Sequence, residues 1–254
     1  MHILLVNDDG ITAKGIHALA KAALKRGHRL TVCAPSTQQS AMSQHISLID
    51  PIYLKSFPFE GAKGYAVTGS PTDCVRLALR QLMNEPVDLC LSGINDGWNA
   101  GFATYYSATV GAAREAALNG VKSVAASIHH QASEESLAHF ADITITLSEQ
   151  YAQMDAPKYS VLNLNAPKAE PRNMNKIMEA SISTSAYLDH YVKMVSPRMG
   201  TVYWMDVTAD QEPSPEGSDI DLLEKGYITY TLMGLPQRLS LTGGAKLRLM
   251  PEEQ

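Results

Sequence analysis

Residues 3–15 read ILLVNDDGITAKG. Four apolar residues, Ile3 to Val6, run without a break into Asn7, Asp8, Asp9 and Gly10. A short apolar run closed by a turn signal predicts a strand buried on both faces. Gly10 allows a sharp turn with positive φ. Two adjacent carboxylates then stand where the strand leaves the sheet, and open parallel sheets gather ligands outside the carboxyl ends of their strands. The two acids repel unless a cation lies between them, and a divalent metal ion is such a partner. The plain alternative is an acidic turn that caps the next helix.

Working outward, Ile16 to Lys25 has apolar residues at helical spacing, with Gly27 placed to end the helix. Leu30 to Ala34 is a second short strand, so a βαβ unit closes within the first 35 residues and implies parallel pairing. Residues 35–46 (PSTQQSAMSQHI) are polar and aperiodic, and a loop of that length inside a domain is often functional. Ser47 to Tyr53 and Gly64 to Val67 read as short strands paired around a turn at Ser56 to Gly61. Ser70 and Pro71 form a helix start, and Thr72 to Met83 carries the helical pattern. Val87 to Leu91 is a buried strand ending in SGIN, followed by a Gly- and Asn-rich loop to Gly101. Thr109 to Asn119 is a helix stopped by Gly120, Val121 to Ser127 a strand, Ser133 to Met154 a long helix, and Tyr159 to Leu164 a strand closed by Pro167. The expected fold is α/β: a Rossmann-like, mostly parallel sheet with helices on both faces over residues 1–167. Residues 168–254, with alternating patterns at Tyr227 to Leu232 and Leu247 to Met250, are expected to form a β-rich arm used to join subunits, with final segments able to return to the core.

The whole chain sets limits on function. Its 254 residues allow one large α/β domain with an appendage. A net charge of −5 argues against a nucleic-acid binder, which needs a basic footprint. No apolar run approaches the length of a membrane span. The strand begins almost at the N-terminus, leaving no room for a signal peptide, so a cytoplasmic location is expected. Cys33, Cys74 and Cys90 are odd in number, lack CxxC spacing and sit among apolar residues, as buried thiols do.

Three loops fall at one predicted sheet edge. They carry Asp8 and Asp9, then Ser36 to Ser43, then Asn95. Such oxygen donors select magnesium, manganese or calcium over zinc or copper. Beyond Asn95, Gly97, Asn99 and Gly101 allow close backbone approach, and Asn99 can donate hydrogen bonds. YYSAT, Tyr105 to Thr109, enters a helix whose N-terminus points at the same edge. Its unpaired amides, with the Ser107 and Thr109 hydroxyls, form an anion site. A metal facing a helix N-terminus suits a phosphate monoester. Ser107 can equally be an ordinary N-cap, and the two roles are compatible.

The chain resembles the SurE family, the stationary-phase survival proteins. The segments that carry the resemblance are ILLVNDDGI, the AP with Ser40-Ala41 behind it, TGSPTDCV, LSGIN and YYSATVGAAREA, in order over residues 1 to 127. LNLNAP at 162–167 and GSDIDLLEKGYITYTLM at 217–233 match later landmarks less specifically. The resemblance implies a metal-dependent phosphatase acting on nucleoside 5′-monophosphates, in some members on 3′-monophosphates or short polyphosphate, by metal-activated water attack. It implies one divalent ion per subunit, Mg2+ or Mn2+ with Ca2+ possible in crystals, held by Asp8, Asp9, Ser40 and Asn95. Asp8 or Asp9 would orient or deprotonate the water, and Asn95, Asn99, Ser107 and Thr109 would contact substrate. It also implies a dimer or tetramer joined through the C-terminal arm. The chain departs from the family pattern at Ala41 and Ala108, where glycine is usual, and at Gln44, where some members carry the histidine that here comes one place later as His45.

Rival functions are weighed against these residues. A receiver-like phospho-signalling domain also carries an acidic pair after its first strand, and Asp50-Pro51 mimics its phosphoacceptor. Against that reading, this chain lacks an obvious Lys-Pro at a later strand end, and SGIN and YYSAT would have no role. A nicotinamide enzyme would need GxGxxG where DDGITAKG stands. A nucleotide binder with weak catalysis is the third alternative, to which Ala41 and Ala108 give room. The His129-His130 pair reads as a solvated loop pair, and Tyr105 and Tyr106 either stack on a base or simply pack.

Overall fold

In the computed structural model of the protein, residues 1–185, 187–211 and 213–235 are described. Leu247 to Met250 lie outside them. The chain runs β1 (His2–Val6), α1 (Lys14–Lys25), β2 (Arg29–Pro35), β3 (Leu54–Phe59), β4 (Ala62–Val67), α2 (Pro71–Leu77) and β5 (Leu89–Asp96). It continues through α3 (Ala103–Tyr106), α4 (Ala108–Leu118), β6 (Lys122–Ile128), α5 (Glu134–Gln153) and β7 (Val161–Ala166). Then come β8 (Ile177–Glu179), β9 (Tyr187–Ser196), β10 (Gly200–Gln211), α6 (Asp219–Glu224) and β11 (Ile228–Met233).

Nine strands form one sheet in the order β3-β4-β2-β1-β5-β6-β7-β11-β8. Within this sheet, among the described residues, only β3 with β4 and β11 with β7 pair antiparallel. β1 is buried on both faces, as its unbroken apolar run predicts. Ile3 and Leu5 join the core under α1 and α5, while Leu4 and Val6 join the core under α2 and α4. Helices therefore cover both faces, the arrangement that parallel strands need. The chain winds outward from β1 to β2 and β4, then returns to place β5 on the other side of β1. The crevice between the ends of β1 and β5 is thus the topological switch point of the sheet, where such folds bind ligands. The three cysteines are free and buried, and burial pushes the Cys90 thiol up to about 12.

Three local expectations are corrected. The first hairpin strand is Leu54–Phe59, not Ser47 to Tyr53, and its turn is Glu60-Gly61, so most of the expected turn is strand. β3 is an edge strand with mostly exposed side chains, so it shows no apolar alternation and tolerates Pro58. β5 does not stop at Leu91. It runs through SGIN to Asp96, with a register shift against β6 between Ser92 and Asn95 and a cis Gly93–Ile94 peptide. Tyr227 to Leu232 belongs to the main sheet as β11, beside β7 and β8, and not to the projecting arm. The arm is the β9–β10 hairpin, a separate two-stranded sheet. The helix at 71–82 forms as expected, its last turn being a π-turn over Ala78–Leu82, and the Ser70–Asp73 capping box starts it.

Candidate active site

The site forms where β1 ends. Asn7 is fully buried and turns the chain by donating from Nδ2 to the Gly10 carbonyl at 2.9 Å, with Gly10 at φ +101°. Its other side-chain atom, Oδ1, is buried with no donor among the described residues. Asp8 is 4% exposed and points toward α4, where its Oδ1 accepts the Thr109 hydroxyl hydrogen at 2.5 Å. Asp9 is half-buried and accepts from the Asp96 backbone N–H at 3.3 Å.

The loop after β2 is fastened over this edge. Gln39 N–H donates to the Asp8 carbonyl at 2.7 Å, and Ser43 N–H donates to the Tyr106 carbonyl at 2.9 Å. Ser47 donates to the Asp73 carboxylate from its backbone N–H at 3.0 Å and its hydroxyl at 2.8 Å. Gly111 in α4 lets the loop come close, since a Cβ there would lie 2.2 Å from the Ser43 carbonyl oxygen. Ser40, beside Gln39, is exposed at the rim. Ala41 and Ser43 both have positive φ, 58° and 50°. Asp50, the residue that mimicked a phosphoacceptor, lies on an exposed bend and ends no strand.

Asn95 sits at the end of β5 and spends its Nδ2 on the Gly97 carbonyl at 2.8 Å, which leaves its amide oxygen for a ligand. Asn99 is buried and braces the following loop. Its Nδ2 donates to Ser127 Oγ at 2.8 Å, its N–H to Asn165 Oδ1 at 2.9 Å, and its carbonyl accepts from Asn163 and Asn165. Asp219 clamps the end of that loop, accepting from Gly101 N–H and Ser183 N–H, each at 2.8 Å. Ser107 is the N-cap of α4 and accepts from Val110 N–H at 3.1 Å. Thr109 faces Asp8 and not open space. So Asp8 and Thr109 touch, Asp9 and Asn95 flank them at the switch point, and Asn99 stands behind as a brace.

The electrostatics are one-sided. Burial pushes the Asp8 carboxyl up to about 6, with the Thr109 hydrogen bond opposing and the Asp9 charge adding to the rise. Burial also raises Asp9, with the Asp96 charge adding to the rise and the Asp96 N–H hydrogen bond opposing. Among the described residues no Lys, Arg or His forms an ion pair with Asp8, Asp9 or Asp96. Nor do the described residues gather three or more His, Cys, Asp or Glu side chains as a metal cluster. A cation here would therefore rest on two carboxylates and neutral oxygens. The unbalanced carboxylates and the orphaned Asn7 Oδ1 fit a hard divalent ion. Asn7, Gln38 (which hydrogen-bonds Asp9), Asp73 and Asp96 were not singled out in the sequence. Asn7 and Asp96 adjoin residues that were, but their partners arise only in the fold.

A doubly wound α/β protein with an acidic, oxygen-rich crevice at its switch point is what fold and site define. The model of the survival protein SurE family matches residues 3–189. The 5′-nucleotidase SurE of Solidesulfovibrio magneticus is 38% identical over 97% of this chain and 95% of its own length. The 5′-nucleotidase SurE of Nitratidesulfovibrio vulgaris is 35% identical over 97% of each. The crystal structure of the SurE protein from Aquifex aeolicus superposes with a TM-score of 0.79 at 28% identity, covering 94% of this chain and 95% of that one. The chain belongs to the SurE family.

Proposed function

We propose that this protein is a metal-dependent phosphomonoesterase that hydrolyses nucleoside 5′-monophosphates. The observation that carries this is Asp8, a buried carboxylate without a cationic partner, held against the first turn of an eleven-residue helix at the switch point. The relatives named 5′-nucleotidase support the substrate class. Asp8, Asp9, Asn95 and the Ser40 hydroxyl would hold the ion, magnesium or manganese by their chemistry. When bound, the ion supplies a Lewis acid that offsets phosphoryl charge and acidifies water. The amides of the first turn of α4 and the Ser107 hydroxyl bind the phosphate oxygens. Thr109 keeps Asp8 in one orientation. Asp9, half-exposed and held by hydrogen bonds from Asp96 N–H and the Gln38 side chain, orients the attacking water and takes its proton.

Phosphate release from nucleoside 5′- and 3′-monophosphates and short polyphosphate, with manganese, magnesium or a chelator, tests this. Release from the 5′-monophosphates that stops on chelation is the expected result. No release from folded protein with any metal sinks it and favours a nucleotide binder, for which the strained Ala41 backbone at φ 58° is the supporting observation. The three buried free thiols support a reducing, cytoplasmic setting. No helix among the described residues is long and apolar enough to cross a membrane. Exposed Tyr191, Val195, Tyr203 and Trp204 on the β9–β10 hairpin support a dimer or tetramer of this chain.

A further inference from the structure

A cavity of about 370 Å³ opens from Asp9 and Asp96 toward the α1 and α5 side of the sheet, the side away from α4. Its size is that of a small-molecule pocket. Ile94, Ile128 and Leu137 supply apolar lining, and His129 and His130 line it as well. The two imidazoles are stacked, with centroids 4.4 Å apart and planes 21° from parallel. Trp98 meets His129 edge-on at 4.9 Å and is itself fixed by Nε1 donating to the Ala166 carbonyl at 2.7 Å.

The His129 backbone is tied on both sides, its N–H to the Ala166 carbonyl and its carbonyl to Ala132 N–H. His129 Nδ1 accepts from Gln131 N–H at 3.1 Å, which puts the ring hydrogen of the neutral form on Nε2. His130 is the exposed end of this pair. The pair is no metal centre, since no third ligand of its kind is gathered among the described residues. The Lys14–Glu134 ion pair closes the rim without net charge. The acidic end would repel a second phosphate, and the aromatic pair and aliphatic lining suit a neutral planar group.

We propose that this cavity takes the nucleobase of the substrate against the His129–His130 pair, and that these two residues set the preference for nucleotides over simple phosphate esters. The assignment rests on the phosphatase activity proposed above. With phosphate at the α4 N-terminus beside Asp8, the ester group crosses the switch point at Asp9 and enters the cavity. His130 offers a ring for stacking and His129 Nε2 a hydrogen-bond donor.

The test compares adenosine 5′-monophosphate with ribose 5-phosphate, which has the same phosphate and sugar but no base. In His130→Ala the ratio of their kcat/KM values should fall roughly tenfold, mostly through KM for the nucleotide, the scale of one base–aromatic stack. His130→Phe should restore the ratio. Binding of adenosine, measured by calorimetry in chelator, should weaken by a similar factor in His130→Ala. His130 is at the surface, so the variant leaves the core intact. A wild-type protein that hydrolyses both esters with no preference overturns the pocket and leaves the phosphatase standing. A protein that releases no phosphate but binds adenosine through His130 upholds the pocket and removes the phosphatase. A loss that follows Tyr105→Ala or Tyr106→Ala and spares His130→Ala overturns it by moving the base to the other side of the site.

Discussion

Asp8 and Asp9 are neighbours with different surroundings, and the difference predicts behaviour. Asp8 has one oxygen bound by Thr109 and is nearly sealed from water, whereas Asp9 is half-exposed. Asp9→Asn should remove most phosphatase activity at limiting metal without lowering the melting temperature of chelated protein, because it also removes a repulsive charge. Near-normal turnover at limiting metal would contradict the ligand assignment. The pH dependence follows from Asp8, whose carboxyl sits at about 6 in place of the ordinary 3.8. Below the ordinary value folded and unfolded chains both hold the proton. Between the two values only the folded chain does, so stability falls as pH rises through that window. At about 1.4 kcal/mol per pH unit the loss is on the order of 3 kcal/mol. Denaturant melts of chelated protein from pH 4 to 7 should show this fall, and Asp8→Asn should flatten it. An unchanged slope in the variant would assign the effect to other groups.

At the scale of elements, the active edge is built by fastening a long loop onto the turn after β1, the end of α3 and the first turn of α2. Gln39, Ser43 and Ser47 are its anchors, on Asp8, Tyr106 and Asp73. Two alanines that replace the family's usual glycines lie in or beside it and should respond oppositely. Ala41 is at φ 58°, where a side chain costs about 1 kcal/mol, so Ala41→Gly should stabilise the protein by about that amount. Ala108 is buried at the first position of α4 with no positive φ, so Ala108→Gly should destabilise by up to about 1 kcal/mol. Thermal melts of the two variants decide, and equal effects would show that backbone strain at Ala41 is not felt. Ser107→Ala removes the α4 cap and, with it, the hydroxyl proposed to meet the phosphate. It should raise KM or slow turnover while sparing metal affinity, and a collapse of metal binding would refute the phosphate role.

At the scale of the molecule, β8 and β11 extend the sheet, and among the described strands only the β9–β10 hairpin stands off. Its strands pair with each other and make no more than slight contact with any other described helix or strand. Its Tyr191, Met194, Tyr203 and Trp204 are exposed, and the proposed assembly would cover them. Light scattering should find a dimer or tetramer, and replacing Tyr203 and Trp204 with serine should shift it toward monomer while the core still melts cooperatively. A wild-type monomer at all concentrations would remove the assembly.

The sequence by itself determined the parallel core and the acidic edge, because both are local in origin. An unbroken run such as Ile3 to Val6 is buried on both faces, and Asn7 to Gly10 turns the chain wherever that strand lies. Helix starts at Ser70, Ser107 and Ser133 were legible for the same reason, since capping is settled within four residues. Edge strand β3 was not legible, because it buries little and keeps no apolar alternation. Nor was the extension of β5, whose SGIN looks like a turn until β6 is there to pair with it. Only the tertiary structure decided that Thr109 bonds Asp8, that Asn99 is committed to Ser127, and that His129 and His130 stack beside Asp96 and Asp9. Each joins residues separated by 28 to about 120 positions, or depends on packing around them, and no local preference encodes such meetings.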